Sequence, residues 1–208
     1  MLKSIGVRMS WIEILGPSGS GKNKIVEFLS ERYEVLPDYV PKVGEPPLAT
    51  HLGYLIKRFL NSSFANRNRI SKDLITVRGS MDSVDVYATT CRKLEMLSVA
   101  DYDLLTGIKN LISDNDIITP DLILYAKSKK MSNINSLIIK PDETIDLNFF
   151  NTEFELYEKY VEKINYLVEI DMTRNFEDVK KDVDFFVSQA KAAKKMSIWG
   201  RSYYKRDA

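Results

Sequence analysis

A glycine-rich stretch near the start of the chain carries the residues best suited to chemistry. Residues 16–23 read GPSGSGKN, with Lys22 directly after the last glycine. Glycines at these spacings let successive backbone N–H groups converge on one point, and a helix that begins there adds partial positive charge. The ammonium group of Lys22 would reach the outer phosphates of a nucleotide. The predicted phosphate-binding residues are Gly16, Pro17, Ser18, Gly19, Ser20, Gly21, Lys22 and Asn23.

The last position of this loop departs from the usual pattern. Phosphate-binding loops place Ser or Thr there, whose compact hydroxyl holds magnesium, whereas this chain has Asn23. A carboxamide is longer, and its oxygen is a neutral ligand that coordinates a metal directly or through water. We therefore expect phosphate binding to survive this change better than the placement of Mg²⁺, for which Asn23 is a weak ligand.

Strand and helix patterns alternate along the chain. Five short apolar runs predict strands, at 11–15, 34–36, 73–77, 122–126 and 166–170. Helical spacing and capping residues predict helices from Lys22 and over 48–60, 80–99, 102–113, 146–165 and 176–195, and the polar stretch 127–143 reads as a loop. Such alternation predicts an α/β fold of three layers, a five-stranded parallel sheet flanked by helices on both faces.

The composition limits what kind of protein this chain can be. It has 208 residues, 44% hydrophobic and 28% charged, which suits one folded core. A net charge of +1 gives no whole-surface reason to bind nucleic acid or a membrane. Cys91 is the one cysteine, and Met1–Ser10 lacks the apolar core of a signal peptide. We expect a cytoplasmic protein of one domain, 1–208, with a core at about 11–195 and a basic C-terminal tail at 196–208.

Four segments together resemble the deoxynucleoside kinases, with the thymidylate kinases as more distant relatives. They are GPSGSGKN, EVLPDYVPK, TVRGSMDSVDVYA and ITPDLILYAKSKK, and the helix IDLNFFNTEFELYEKYVEKI follows where the family has a helix after its lid. The likeness covers most of the chain, from about Trp11 to Lys195. It implies a P-loop kinase-like fold, ATP and Mg²⁺ as cofactors, and a nucleoside or nucleotide as substrate.

The resemblance assigns roles to two further residues. Asp38 falls on the glutamate that is the family's general base, and it follows Pro37 at the end of the second predicted strand. Arg78 matches the family's arginine at the end of the third strand. Val77 stands where the family has an acid that helps to hold magnesium, and Gly79 replaces a serine. The predicted catalytic residues are therefore Asp38, Arg78 and Lys22, with Glu45 as a rival carboxylate before a proline.

The lid departs from the family as well. Family lids clamp the transferred phosphate with arginines, whereas residues 127–140 contain lysines and no arginine. Lysine supplies charge without the bidentate fork of a guanidinium. The lysines of this stretch are Lys127, Lys129, Lys130 and Lys140.

Three functions remain open from the sequence. In the first, the protein moves the γ-phosphate of ATP to the 5′-hydroxyl of a deoxynucleoside, and Asp38 takes the proton. In the second, the acceptor is a deoxynucleoside monophosphate, and basic groups meet its phosphate. In the third, a kinase-derived subunit holds a nucleotide without turnover, which Asn23, Val77 and the arginine-free lid favour. A homodimer through the helices after strands two and three is left open.

Overall fold

The strands form a five-stranded parallel sheet in the order β2-β3-β1-β4-β5. The computed structural model describes residues 10–115, 119–128 and 147–203, with side chains at 10–113, 119–128 and 147–193. The strands are β1 (Trp11–Leu15), β2 (Glu34–Val35), β3 (Leu74–Val77), β4 (Leu122–Lys127) and β5 (Leu167–Asp171). Every predicted strand is present within about one residue at each end, and the three-layer α/β fold is confirmed.

Helices connect successive strands and cover both faces of the sheet. They are α1 (Lys22–Ser30), α2 (Pro47–Asn68), a π-helical segment (Ser83–Ala88) that continues as α3 (Thr89–Lys93), α4 (Val99–Asn115), α5 (Leu147–Val161) and α6 (Phe176–Tyr203). Helix α6 continues to Tyr203, beyond the predicted end at about residue 195, while the basic C-terminal tail at 196–208 stays a prediction. Residues 204–208 lie outside the described part of the chain, as do the lid lysines Lys129, Lys130 and Lys140.

The predicted helix over 80–99 was wrong at both ends. It begins as the π-helical segment at Ser83, and α3 ends at Lys93. Glu95 then takes a left-handed φ of 59°, and the N–H of Met96 bonds the carbonyl of Cys91 at 2.8 Å. This bond across six residues closes a helix terminus that usually carries glycine at the left-handed position. Because Glu95 rather than a glycine occupies this position, the sequence did not indicate that the helix ends here.

The central strand sends alternate side chains to opposite faces of the sheet. Ile12 and Ile14 belong to the core cluster that contains the apolar residues of α1 and α6. Trp11 and Leu15 belong to clusters on the other face, formed with α2, the π-helical segment and α5. Glu13 lies between those two positions in β1, so a carboxyl group is buried under the second helical layer. Among the described helices, none has the length and apolar character that crossing a membrane requires.

Candidate active site

The glycine loop follows β1 and leads into α1, as predicted. Gly16 has a φ of 148°, and a Cβ there would lie 2.7 Å from Ser20 Oγ and 2.9 Å from the Ala126 carbonyl oxygen. Gly21 has a φ of 88°, which side-chain-bearing residues rarely adopt. These positions need glycine for backbone conformation and for space, so the loop has the geometry that brings backbone donors together at the start of a helix.

Lys22 is buried within the loop that it would serve. Its side chain is 7% exposed, and Nζ donates a hydrogen bond to the Pro17 carbonyl oxygen at 2.8 Å. Burial holds the pKa of Lys22 well below its ordinary value, the charge of Arg78 lowers it further, and Glu153 opposes the shift. A bound phosphate would favour the charged ammonium form of Lys22, which suits a lysine that binds an anion.

Arg78 directly follows β3 and lies beside the glycine loop. Its φ of 66° is left-handed, a conformation that a non-glycine residue keeps only when its surroundings hold it. Nη2 bonds Ser18 Oγ at 3.3 Å and lies 3.6 Å from Glu153 Oε1, and the guanidinium lies 4.1 Å from the centre of the Tyr87 ring. Lys22, Arg78 and the glycine loop therefore form one cationic group of residues.

Glu153 is a functional candidate that the sequence reasoning missed. Its carboxylate accepts hydrogen bonds from the backbone N–H of Ser18 at 3.0 Å and from the Ser18 hydroxyl at 3.2 Å. The side chain is fully buried. The available signal was its position in α5, four residues before Tyr157 on the apolar side of the helix. A charged residue on a buried helical face needs a partner, and here that partner is the loop.

Asp38 belongs to a neighbouring charge network centred on Arg58. Arg58 lies in α2 and is 1% exposed, and its Nη1 bonds Asp82 Oδ1 at 3.2 Å and Ser83 Oγ at 2.9 Å. Tyr157 donates to Asp82 Oδ2 at 2.5 Å. Burial raises the pKa of Asp82, while Arg58, Arg78 and Tyr157 pull it down. The sequence identified Asp38 but gave Arg58 no role.

Two structural links connect this network with the loop. The Tyr87 ring lies under both arginines, 5.5 Å from the Arg58 guanidinium and 4.1 Å from that of Arg78. Helix α5 carries Glu153 and, one turn later, Tyr157. The rival carboxylate Glu45 is instead bonded by Tyr39, whose hydroxyl donates to Oε1 at 2.6 Å. Of these two rivals for the role of base, Asp38 is thus the one that lies in the network beside the loop.

Glu13 faces a cavity of about 130 Å³ on the helix-covered side of β1. Ser62, Ser80, Tyr160 and Tyr166 also line it. Burial, together with the negative charge of Asp82, raises the pKa of Glu13 to about 8, although Arg58 opposes the shift. A Cβ on Gly79 would lie 2.9 Å from Glu13 Oε1, so a side chain at this position would crowd the buried carboxyl group.

The described residues offer magnesium few ligands. Asn23 is exposed at the end of the loop, Val77 carries no side-chain oxygen, and Asp82 is engaged by Arg58 and Tyr157. Within 10–113, 119–128 and 147–193, no three His, Cys, Asp or Glu side chains are grouped so that they could hold a metal. These residues alone do not fit a magnesium site. An ion here would depend on oxygens of nucleotide phosphates.

The sheet order and the glycine loop between β1 and α1 define a P-loop kinase fold. Solved structures of deoxyadenosine kinase from M. mycoides share it, each at 16% identity and with 99% of that chain covered. The structure with bound dATP has a TM-score of 0.64 and covers 86% of this chain. The structure with the products dCMP and a flexible dCDP has a TM-score of 0.63 and covers 88% of this chain. No protein-family model matches the chain, and no curated protein matches it by sequence.

Proposed function

We propose that the protein transfers the γ-phosphate of ATP to the 5′-hydroxyl of a deoxynucleoside. The observation that carries the proposal is the glycine loop with buried Lys22 beside Arg78, in a fold shared with deoxyadenosine kinases. Those kinases are described with deoxynucleotides bound, so the same class of ligand is the natural first choice for this chain. Positioning and charge neutralisation account for most catalysis of phosphoryl transfer, and this site offers both.

The placement of the described residues supports each proposed role. The loop N–H groups and Lys22 hold the outer phosphates, and Arg78 lies beside the group in transfer. The acceptor oxygen bonds to the γ-phosphorus while the bond from that phosphorus to ADP breaks, and the hydroxyl proton goes to Asp38. Arg58 and the Tyr39 N–H fix the Asp38 carboxylate, which keeps 27% of its side chain exposed to an acceptor. Any magnesium would arrive with the nucleotide and, among the described residues of the loop, could gain the amide oxygen of Asn23.

A nucleotide-binding subunit without turnover is the second candidate. The observation in its favour is the poor set of magnesium ligands at Asn23 and Val77 among the described residues. Such a protein would keep the phosphate loop, because Lys22 and the glycines are intact, while losing the transfer step.

The deciding experiment is a screen with labelled ATP against all four deoxynucleosides and their monophosphates, with and without magnesium. We expect transfer to a deoxynucleoside, and nucleotide binding by calorimetry that Lys22→Ala abolishes. Lys24→Ala is the matched control, because Lys24 is exposed on the first turn of α1 and should bind normally. Transfer to a monophosphate alone would move the acceptor to that class. Binding without any transfer would favour the second candidate, and equal binding by Lys22→Ala would remove the phosphate site.

A further inference from the structure

A carboxylate fills the anion-binding edge of the glycine loop. Glu153 Oε1 accepts hydrogen bonds from both the N–H and the hydroxyl of Ser18, and Arg78 Nη2 lies 3.6 Å from the same oxygen. Backbone N–H groups of such a loop normally donate to phosphate oxygens. A carboxylate oxygen is the internal group that most resembles a phosphate oxygen in charge and in accepting power.

The polar groups around this carboxylate are incompletely satisfied. Glu153 Oε2, Arg78 Nε and Ser20 Oγ are buried without a hydrogen-bond partner among the described residues. Lys22 donates to the Pro17 carbonyl oxygen, a neutral acceptor. Burying polar groups unpaired is unfavourable, and a carboxylate with two oxygens cannot serve all of these donors. A phosphoryl group presents three oxygens and more charge, so it would satisfy more of them.

We propose that the Glu153 carboxylate is an internal stand-in for a phosphoryl oxygen at Ser18 and Arg78, and that an arriving phosphoryl group displaces it. The inference rests on the proposed binding of nucleotide at the loop and adds a competitor within the chain. Wild-type affinity for phosphates is then the outcome of an exchange, in which Glu153 leaves its donors and the ligand takes them. The phosphoryl group could come from ATP or from a monophosphate acceptor, since both offer the same oxyanion chemistry.

Calorimetry with inorganic pyrophosphate, ATP and dAMP tests the exchange directly. Glu153→Gln keeps the size of the side chain but removes its charge, so binding should tighten by roughly 10- to 100-fold, the scale of one charge-assisted hydrogen bond. The matched control is Glu162→Gln, which removes an exposed carboxylate just after α5 and should leave affinity unchanged. If Glu153→Gln binds only ATP more tightly, the phosphoryl group that displaces Glu153 belongs to the nucleotide donor. If it binds only dAMP more tightly, that group belongs to an acceptor.

A stability measurement guards against a trivial failure to fold. Without ligand, Glu153→Gln should melt below wild type, because Arg78 and Lys22 lose a counter-charge, and pyrophosphate should raise its Tm by more than it raises that of wild type. If the glutamine variant does not fold, Glu153→Asp takes its place in the binding test. Its side chain is one methylene shorter, and it should also bind phosphate more tightly than wild type. Suppose that wild type binds phosphate, Lys22→Ala does not, and the folded Glu153 variants bind no more tightly than wild type. This result would overturn the role of Glu153 as a stand-in but leave the proposed function standing. No phosphate binding by any chain would instead overturn the proposed function.

Discussion

Arg58 holds Asp38 through two parallel hydrogen bonds, from Nε to Oδ1 at 3.0 Å and from Nη2 to Oδ2 at 2.8 Å. The same guanidinium reaches Asp82, so one arginine compensates two carboxylates. Burial opposes the charge of Arg58, yet Asp82 and Asp38 raise its pKa above the ordinary value. The candidate base is thus fixed by a cation on α2, whereas Arg78, directly after β3, lies against Ser18 and Glu153.

Arg58→Ala should lower the free energy of unfolding by roughly 3–5 kcal/mol, the usual effect of removing one partner of a buried ion pair. The reason is Asp82, which is fully buried and would lose its nearest cation. Urea unfolding measures the change. Arg67→Ala, on the exposed side of the same helix, is the control and should stay within about 0.5 kcal/mol of wild type. Equal stability of the two variants would show that Arg58 does not stabilise the fold by compensating the charge of Asp82.

Asp38→Asn should lower turnover by roughly 10²- to 10⁴-fold, the range for loss of a general base, while ATP affinity stays close to wild type. The carboxamide keeps the shape of the side chain but takes up no proton. Glu45→Gln is the comparison, because Glu45 is a nearby carboxylate that is bonded to Tyr39. Steady-state rates with the accepted deoxynucleoside decide between the two. Normal turnover by Asp38→Asn and none by Glu45→Gln would transfer the role of base to Glu45.

Glu13 should make stability depend on pH. Its pKa is about 8 in the folded protein against an ordinary 4.5, so between these values the folded state holds the extra proton. The contribution of Glu13 is fully present below pH 4.5 and is lost as pH rises through about 8, with a slope of up to roughly 1.4 kcal/mol per pH unit. Glu13→Gln should flatten this part of the profile, whereas Glu27→Gln, exposed on α1, should not. Denaturant unfolding across the pH range measures both, and parallel profiles for Glu13→Gln and wild type would contradict the prediction.

Asn23→Thr should raise or preserve turnover and lower the magnesium concentration needed for half-maximal rate. A hydroxyl is a compact ligand beside the phosphates, whereas the Asn23 amide is longer and exposed. Magnesium titration of the initial rate is the measurement. Asn110→Thr makes the same replacement at an exposed position of α4 and should leave the titration unchanged. A higher magnesium requirement in Asn23→Thr would mean that the amide itself is the better ligand here.

The sheet and the loop were predictable because their signals are local. Five apolar runs and the glycine spacing are read within a few residues, and the parallel direction of the strands follows from their alternation with helices. Arg58 was not found, although its spacing from Leu55 places it on the buried face of α2. Its partners Asp38 and Asp82 lie 20 and 24 residues away along the chain, so only the folded structure shows what compensates its charge.

Glu153 escaped prediction for a related reason. Its partner Ser18 is 135 residues away, and the N–H group that Glu153 accepts from exists as a donor in every non-proline residue. The end of α3 at Lys93 was missed because Glu95, rather than a glycine, takes the left-handed position. In each case the deciding interaction joins residues far apart in sequence or is made by the backbone. Side-chain patterns in the sequence indicate little about either kind of interaction.

The π-helical segment Ser83–Ala88 has a consequence for how this chain can change in length. Its hydrogen bonds close one residue later than in an α-helix, as in the bond from the Thr89 N–H to the Val84 carbonyl oxygen. Because this wider turn takes up one more residue than an α-helical turn, deleting one residue within it would restore α-helical spacing while α3 keeps nearly the same orientation. The change would be confined to the segment itself, which carries Tyr87 beneath Arg58 and Arg78. A one-residue deletion should therefore be tolerated here far better than within α2 or α5, where it would turn every later residue of the helix by about 100°.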